Sequence, residues 1–446
     1  MTTWTPQQSF NFARHRCHAF LASSSPYLFA LLAGAVIGLS AWHWSNTPYI
    51  AIAFPFLFPC MHGRAGVYVY AFGYHASTVY GLMGFASAWF NDSWLMGAIS
   101  WGLLSGLAAT VWPIFSSGNK AKSSLVAGVS AAVGMSAGLL PPFALVLDGH
   151  PLVAWGYLLQ GWGFTGVGVA IVGTGIVAGL VFEARGMALH SHLLIVGLSL
   201  LAVAGAASAV PEYRTVDGGV GIDTYFGKPP SNDAEQVERY GEIRQTIRSV
   251  SDLGKPGADA HVLVLPENTT SLDDPALDFM VSSDVLRPLQ RAGKSAVVGK
   301  IGQNKDGEYL NQAVFLSPGR REVVIEQRQP AMLSMWRPWS KEHFPLDWSR
   351  DTRIDLGNGE IGRVLICYEE YIPALFLMDE FRGEHSMAII MSSNWSATDH
   401  RLPEVQRLHS LGMAKLFDRP AVRSVNYPRS FKTDADGVKT PQKRHK

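Results

Sequence analysis

Cysteine is scarce in this sequence, and its three residues, Cys17, Cys60 and Cys367, lie far apart. An odd and scattered set of cysteines excludes the disulfide framework that stabilises many small secreted domains. The sequence also lacks Cys-x-x-Cys and His-Glu-x-x-His, and its histidines are scattered, so it has no metal-site spacing. We therefore predict neither a metal ion nor another cofactor.

Charged residues are also few, and they are unevenly distributed. The formal net charge is only +1, which argues against nucleic acid or any other strongly charged partner. Residues 1–210 contain few charged residues and many Gly, Ala, Leu, Val and Trp, whereas residues 211–446 contain most of the Asp, Glu, Lys and Arg. The chain therefore divides into a membrane-like half and a more polar half.

The membrane-like half contains long apolar runs, and a helix needs about 20 apolar residues to cross a bilayer. We predict seven spans, at 28–44, 48–62, 66–90, 93–115, 123–147, 162–182 and 190–210. Lys and Arg occur in the N-terminal tail and in alternate connections, which places the N-terminus in the cytoplasm by the positive-inside rule. The predicted organisation is a cytoplasmic tail (1–27), a transmembrane domain of about seven helices (28–210), a domain outside the cytoplasm (211–430) and a basic polar tail (431–446).

The polar half alternates strand and helix patterns. Strands are predicted at 219–226, 262–266, 295–301, 311–317, 321–326, 363–366, 387–392 and 421–426, and helices at 233–250, 277–290, 372–381 and 403–417. Alternating β and α units with an added hairpin predict an α/β sandwich.

Two of these strands lead into reactive side chains. Cys367 directly follows the apolar strand that ends at Ile366, and Glu267 follows Val262–Pro266. Strands of an α/β sheet deliver such groups at their carboxyl ends, so we predict a thiol nucleophile and an acid in one site. Each residue also has a simpler interpretation, Cys367 as a small buried hydrophobic residue and Glu267 as a helix N-cap.

Several motifs, taken in chain order, resemble those of a known family. They are Pro266-Glu267, Tyr309-x-Asn311, Ile366-Cys367-Tyr368-Glu369, Ser393-Asn394 and Arg419-Pro420-x-x-Arg423-x-x-Asn426. Their order and spacing resemble the carbon–nitrogen hydrolase (nitrilase) superfamily. Together with the multi-span half, the chain looks like the apolipoprotein N-acyltransferase branch. The segment 334–339, Ser-Met-Trp-Arg-Pro-Trp, is also similar to conjugal-transfer proteins of self-transmissible plasmids.

This resemblance implies a fold and a location. The fold is a multi-span α-helical membrane domain joined to an α/β nitrilase-like domain, an αββα sandwich. The location is the bacterial inner membrane, with the nitrilase-like domain in the periplasm.

The resemblance also implies a mechanism. Cys367 attacks the acyl ester of a phospholipid and forms a thioester, while Glu267 acts as the general base. The acyl chain then passes to an amine of a lipoprotein or another envelope component. The residues predicted to bind substrate are Tyr368, Glu369, Asn394 and Trp395. In the simpler interpretations Glu369 pairs with an arginine, and Asn394 and Trp395 form a turn and a core aromatic.

The lysine of the family, which stabilises the tetrahedral intermediate, lacks its usual sequence context here. Arg328 has the best spacing between the Glu267 and Cys367 motifs, and Lys341 is the alternative. Arginine stabilises an oxyanion electrostatically, but it does not release a proton at neutral pH.

The resulting expectation is a membrane-bound, Cys-dependent acyltransferase with a role in plasmid conjugal transfer. The alternative is a catalytically degenerate nitrilase fold that serves as a membrane scaffold in conjugation.

Overall fold

The computed structural model describes residues 25–44, 47–146, 148–185, 212–251, 259–270, 279–340, 343–357 and 359–431. The predicted span 190–210, nearly all of the tail 431–446 and most of the tail 1–27 lie outside the described residues. The chain forms two compact units. The first, the helical unit, comprises Met1–Tyr80, Gly102–Leu158 and Thr165–Val210; the second, the α/β unit, comprises Gly81–Trp101, Leu159–Phe164 and Pro211–Lys446.

The N-terminal half is helical. Its principal helices are α1 (Ser25–Trp42), α2 (Gly63–Thr78), α3 (Leu82–Trp89), α4 (Trp94–Phe115), α5 (Ser124–Ala137), α6 (Pro151–Leu158) and α7 (Gly163–Ala184). Three helical stretches are long and apolar enough to cross a membrane, namely Ser25–Trp42, Trp94–Lys120 and Gly163–Ala184. The number of crossings beyond these three, and the side of the membrane on which the α/β unit lies, stay predictions.

Three predicted spans are not single helices. The segment 123–147 contains α5 and a separate short helix, Phe143–Leu145. The segment 48–62 forms three short helices, Pro48–Ile52, Ala53–Phe56 and Phe58–Cys60. Each contains a proline, which lacks the N–H that a continuous helix requires. The segment 66–90 is divided between α2 and α3.

The interior of the helical unit is aromatic and hydrogen-bonded. The rings of Phe54 and Tyr74 stack with their centroids 3.9 Å apart, and the Tyr74 hydroxyl donates to the Gly149 carbonyl over 2.6 Å. The buried His75 ring contacts the Asp148 carbonyl through Nδ1 at 2.8 Å and accepts a hydrogen bond from Trp112 Nε1 at 3.0 Å through Nε2. These hydrogen bonds hold the loop at 148–149 against α2 and link α2 to α4.

The α/β unit contains two sheets. The first has the order β1-β2-β3-β4-β5, in which β1, β2 and β3 are parallel and β4 and β5 are antiparallel additions. Its strands are β1 (Gly219–Gly221), β2 (Val262–Val264), β3 (Ser295–Gln303), β4 (Tyr309–Leu316) and β5 (Val323–Glu326).

The second sheet has the order β6-β7-β8-β9, with β6 antiparallel to β7 and the other neighbours parallel. Its strands are β6 (Arg353–Gly357), β7 (Glu360–Ile366), β8 (Met387–Ser393) and β9 (Ala421–Asn426). The helices of this unit in the polar half are α8 (Asp233–Ser251), α9 (Arg287–Arg291, preceded by the π-helical turn Ser282–Leu286), α10 (Pro373–Phe381) and α11 (Arg401–Leu416).

Successive side chains of a strand point to opposite faces of its sheet, so each sheet contributes to two different layers of core. Val264 of β2 and Ile366 of β7 belong to the core between the sheets, while Leu263 belongs to a second core with Ile243 and Ile247 of α8. Helix, sheet, sheet and helix therefore stack in that order, since α11 contacts the far face of the second sheet near Ser392. The predicted α/β sandwich is confirmed.

Candidate active site

Cys367 lies where β7 ends and the chain turns into the 3-10 helix Cys367–Tyr371. Its φ is 53°, in the left-handed region that side chains other than glycine rarely adopt. The surrounding structure holds this conformation, because Gln406 of α11 donates from Nε2 to the Cys367 carbonyl over 2.9 Å. Such strain is characteristic of functional sites, and here it presents a partly buried thiol at a strand end.

Glu267 follows β2 and is buried, with 2 % of its surface exposed. The backbone of Pro266 and Glu267 lies so close to Gly299 of β3 that a Cβ there would be 2.5 Å from the Glu267 Cα, so only glycine fits. Asn311 of β4 donates from Nδ2 to Glu267 Oε1 over 2.5 Å. The Cys367 thiol and the Ser393 backbone N–H also donate to the Glu267 carboxyl, so the carboxyl lies beside the thiol proton.

The thiol and the carboxyl raise each other's proton affinity. Burial raises the pKa of Glu267 to about 7, although hydrogen bonds from Cys367, Asn311 and the Ser393 backbone oppose the shift. Burial, followed by the Glu267 carboxylate, raises the pKa of the Cys367 thiol well above its ordinary value. The thiol is therefore protonated near neutral pH, and it requires a base such as Glu267 to become a nucleophile.

Gln327 connects Asn311, the partner of Glu267, to the end of β7, and the sequence interpretation overlooked it. Its Oε1 accepts from Asn311 Nδ2 over 3.0 Å, and its Nε2 donates to the Ile366 carbonyl over 2.8 Å. The alternation of side chains along a strand could have indicated Gln327. Ile325 of β5 points into the core between the sheets, and Gln327, two residues later, lies on the same side.

Arg328, the first candidate for the cation that stabilises the tetrahedral intermediate, is bound to a structural acid. Its guanidinium is fully buried and donates to both carboxylate oxygens of Asp379 in α10, over 2.8 and 3.0 Å. Its Nε lies 3.6 Å from Glu369 Oε1. Burial alone would lower the pKa of Arg328, but Glu369 and Asp379 outweigh it and raise the pKa. We interpret Arg328 as a structural ion-pair partner. The alternative, Lys341, lies outside the described residues.

Glu369 links the short helix Cys367–Tyr371 to the segment after β5 through hydrogen bonds. Its carboxylate accepts backbone N–H groups from Ile366 over 3.0 Å, from Arg328 over 2.5 Å and from Gln329 over 3.1 Å. Burial raises the pKa of Glu369, and Arg328 opposes that shift. Both oxygens are occupied, so the placement fits the simpler expectation of an arginine partner better than a substrate contact.

Glu370 is a further buried acid that the sequence interpretation did not single out. Its Oε2 accepts from Arg423 Nε over 2.9 Å and from Ser410 Oγ over 2.7 Å, and its Oε1 accepts from Ser392 Oγ. Its negative charge, like that of Glu267, contributes to the raised pKa of Cys367. The ion pair with Arg423 partly neutralises this charge beside the thiol.

The remaining predicted residues lie on the segments that flank Cys367. Asn394 is buried, and its Nδ2 donates to Gln406 Oε1 over 2.8 Å, so Gln406 links it to the Cys367 carbonyl. Trp395 is half-buried, with its ring centroid 5.2 Å from that of Trp89 in α3. Tyr368, directly after Cys367, is half-buried. The structure thus brings Cys367, Glu267 and Asn394 into one region.

Within the described ranges no group of three or more His, Cys, Asp or Glu side chains could hold a metal ion.

The chain is distantly similar in sequence to conjugal transfer proteins. It is 26% identical over 426 residues to the conjugal transfer protein TraB of Agrobacterium fabrum, a match that covers 89% of this chain and 92% of that protein. It is 26% identical over 407 residues to the probable conjugal transfer protein TraB of Sinorhizobium fredii, covering 89% of this chain and 97% of that protein. No protein-family model matches the chain.

Among solved structures the chain is similar to nitrilase-superfamily hydrolases. An amidase from Nesterenkonia sp. matches with 14% sequence identity and a TM-score of 0.28, over 39% of this chain and 63% of the amidase. A carbon–nitrogen hydrolase from Helicobacter pylori matches with 14% identity and a TM-score of 0.32, over 46% of this chain and 72% of that chain. The matched part spans less than two thirds of the length of the amidase.

Proposed function

We propose that this protein is a membrane-bound, Cys-dependent acyltransferase of the apolipoprotein N-acyltransferase type. The observation that carries the proposal is the pair at the end of the sandwich: Cys367 is held at φ 53°, and its thiol is hydrogen-bonded to the buried Glu267 carboxyl. The proposed location is the bacterial inner membrane, with the α/β unit on the periplasmic side.

In the first proposed step a phospholipid ester acylates the thiol. Ionised Glu267 takes the thiol proton while the Cys367 sulfur attacks the ester carbonyl carbon. The carbon–sulfur bond forms, the ester carbon–oxygen bond breaks, and the proton on Glu267 passes to the departing lysophospholipid oxygen. The products are a Cys367 thioester and a lysophospholipid with a free hydroxyl group.

In the second step an amine of a lipoprotein or another envelope component attacks the thioester. Glu267 takes a proton from the attacking nitrogen, an amide forms, and the carbon–sulfur bond breaks. The proton then returns to the sulfur, which regenerates the starting thiol and carboxylate.

A membrane lipid is the favoured acyl donor because the same chain contains three helical stretches apolar enough to span a bilayer. The similarity to TraB, which is named for conjugal transfer, supports a role of the acyl transfer in plasmid conjugation.

One observation favours a second candidate, a catalytically degenerate membrane scaffold in conjugation. The charges that act most strongly on the Cys367 thiol are the carboxylates of Glu267 and Glu370, while the Arg328 guanidinium is bound to Asp379. Acidic neighbours disfavour a thiolate and an oxyanion, which is the opposite of what acyl transfer requires.

Trapping of the acyl-enzyme decides between these candidates. Purified full-length protein in detergent is incubated with phospholipid labelled in its acyl chain, and hydroxylamine-sensitive label is measured. We expect label on the wild type and on Cys60→Ala, a matched cysteine control, and none on Cys367→Ala. Absence of label from folded wild-type protein would favour the scaffold, and label that persists in Cys367→Ala would exclude Cys367 as the nucleophile.

A further inference from the structure

The α/β unit has an exposed group of aromatic side chains away from the residues around Cys367. We call Trp162, Phe164, Phe381 and Phe417 the aromatic patch. The ring centroids of Phe164 and Phe381 are 6.5 Å apart, and those of Phe164 and Phe417 are 5.2 Å apart, both in edge-to-face geometry. Phe381 is 83% exposed, Trp162 53% and Phe164 49%. Such a concentration of exposed aromatic surface typically marks an interaction site.

The backbone fixes the patch in place. The Gly161 N–H donates to the Lys415 carbonyl over 2.9 Å, and both Gly161 and Gly163 have positive φ. A Cβ on Gly163 would contact the Phe417 ring at 3.6 Å. The turn that leads into α7 is therefore bound to the end of α11, which keeps Trp162 and Phe164 beside Phe417.

The position of Phe164 suggests what covers the patch. It lies in the first turn of α7, one of the three stretches apolar enough to cross a membrane. Along the same helix Val172, Ile176 and Leu180 are each more than half exposed, which is the pattern of a lipid-facing surface. Aromatic residues at the end of a membrane-crossing helix lie at the level of the lipid headgroups.

The charges around Phe381 are compatible with that level. The acids of the last turn of α10 are already paired, Asp379 with Arg328 and Glu380 with Arg419 over 2.9 Å. Arg382 and Glu384 follow Phe381 and are both exposed, and Arg382 donates to the carbonyls of Arg350 and Trp348. The segment at the end of α10 thus places an apolar ring beside charged groups that stay hydrated, as interfacial membrane segments do.

We infer that the aromatic patch inserts into the interfacial layer of the lipid bilayer and holds the α/β unit at the membrane surface. Phe381, its most exposed member, inserts most deeply. This inference does not depend on acyl transfer, because it follows from the patch and from α7 alone.

Site-directed spin labelling tests the inference on the full chain. Phe381→Cys is made in a background with Cys17, Cys60 and Cys367 replaced by Ala, labelled with a nitroxide and reconstituted into phospholipid vesicles. Val237→Cys on α8 is the matched control, because Val237 is 62% exposed and outside the patch. Equal melting temperatures of the labelled proteins and the unlabelled background establish that each is folded.

We expect the label at 381 to collide preferentially with oxygen, which partitions into lipid, and the label at 237 to collide preferentially with a water-soluble nickel complex. Accessibility of position 381 to nickel equal to that of position 237 would overturn the inference. Shielding of position 381 from both reagents would also overturn it, because the patch would then be covered by protein, either a second copy of the chain or a partner.

Discussion

The helical unit and the α/β unit both contain buried polar side chains, but they use them differently. In the helical unit Tyr74 and His75 form hydrogen bonds to the backbone carbonyls of one loop. Trp112 Nε1 donates a hydrogen bond to the other ring nitrogen of His75. In the α/β unit Glu267 accepts hydrogen bonds from Asn311 and from the Cys367 thiol. A buried carboxyl bonded to a thiol can take its proton and indicates chemistry, whereas the bonds of His75 to a carbonyl and an indole N–H indicate structure.

The same contrast recurs within the α/β unit. Glu369 binds three backbone N–H groups and lies near Arg328, and it therefore has no capacity left for a substrate. Glu267, which is equally buried, has an ionisable thiol, that of Cys367, among its hydrogen-bond donors. The kind of donor that a buried carboxylate binds thus separates the structural acid from the candidate base better than burial does.

The largest expected effect concerns the buried ion pair between Arg328 and Asp379. Arg328→Met leaves Asp379 without its cation in the interior, and we expect about 3–5 kcal/mol of destabilisation. Thermal unfolding in detergent measures this change. The double variant with Asp379→Leu should recover much of the loss, because it removes the stranded charge.

Arg214→Ala is the matched control for this experiment. Arg214 pairs with Asp418 at the surface, where both side chains are more than 60% exposed, so its loss should cost at most about 1 kcal/mol. If Arg328→Met instead leaves stability unchanged and abolishes the Cys367 thioester, Arg328 is the catalytic cation that its sequence position suggested.

A smaller effect is expected from the amide that orients the base. Gln327→Ala removes the acceptor for Asn311 and the donor to Ile366, which loosens Glu267 relative to Cys367. Because small displacements of reacting groups are costly, we expect thioester formation to slow by roughly tenfold to a hundredfold. The rate of acyl-enzyme formation measures this. Gln290→Ala, at a glutamine with one long contact to the Ser317 carbonyl at 3.5 Å, should change the rate less than twofold.

The smallest effect concerns the helical unit. His75→Phe leaves Trp112 Nε1 and the Asp148 carbonyl without their partner, and we expect about 1–3 kcal/mol of destabilisation. Melting temperature and acyl-enzyme formation are measured together. Loss of the thioester with no change in melting temperature would contradict the assignment of a structural role to His75.

Strand and helix positions were largely predictable because the side-chain pattern has a clear period. The predicted helix 233–250 is observed as Asp233–Ser251, and the predicted strand 421–426 as Ala421–Asn426. The apolar run at 48–62 indicated a span but not its division into short helices, since hydropathy does not register the loss of helical N–H groups at prolines.

The site was predictable where it depends on strand ends and not where it depends on long-range pairing. Cys367 and Glu267 follow strands, so sequence order locates both. Arg328 was selected for its charge and spacing, yet its side chain points to Asp379, which is 51 residues away in sequence. Gln406 reaches the Cys367 carbonyl, and Ser410 reaches Glu370, only because α11 folds back onto the second sheet, and no local sequence pattern indicates those contacts.

The pH dependence of Cys367 alkylation tests the central claim, that Glu267 is the base for this thiol, most directly. In protein with Cys17 and Cys60 replaced by Ala, ionised Glu267 assists deprotonation, so the iodoacetamide rate should rise with pH through a midpoint near its pKa of about 7. Glu267→Gln should react more slowly near neutral pH and should move the midpoint into the alkaline range, where the thiol itself ionises. An unchanged rate and midpoint in Glu267→Gln would contradict the account.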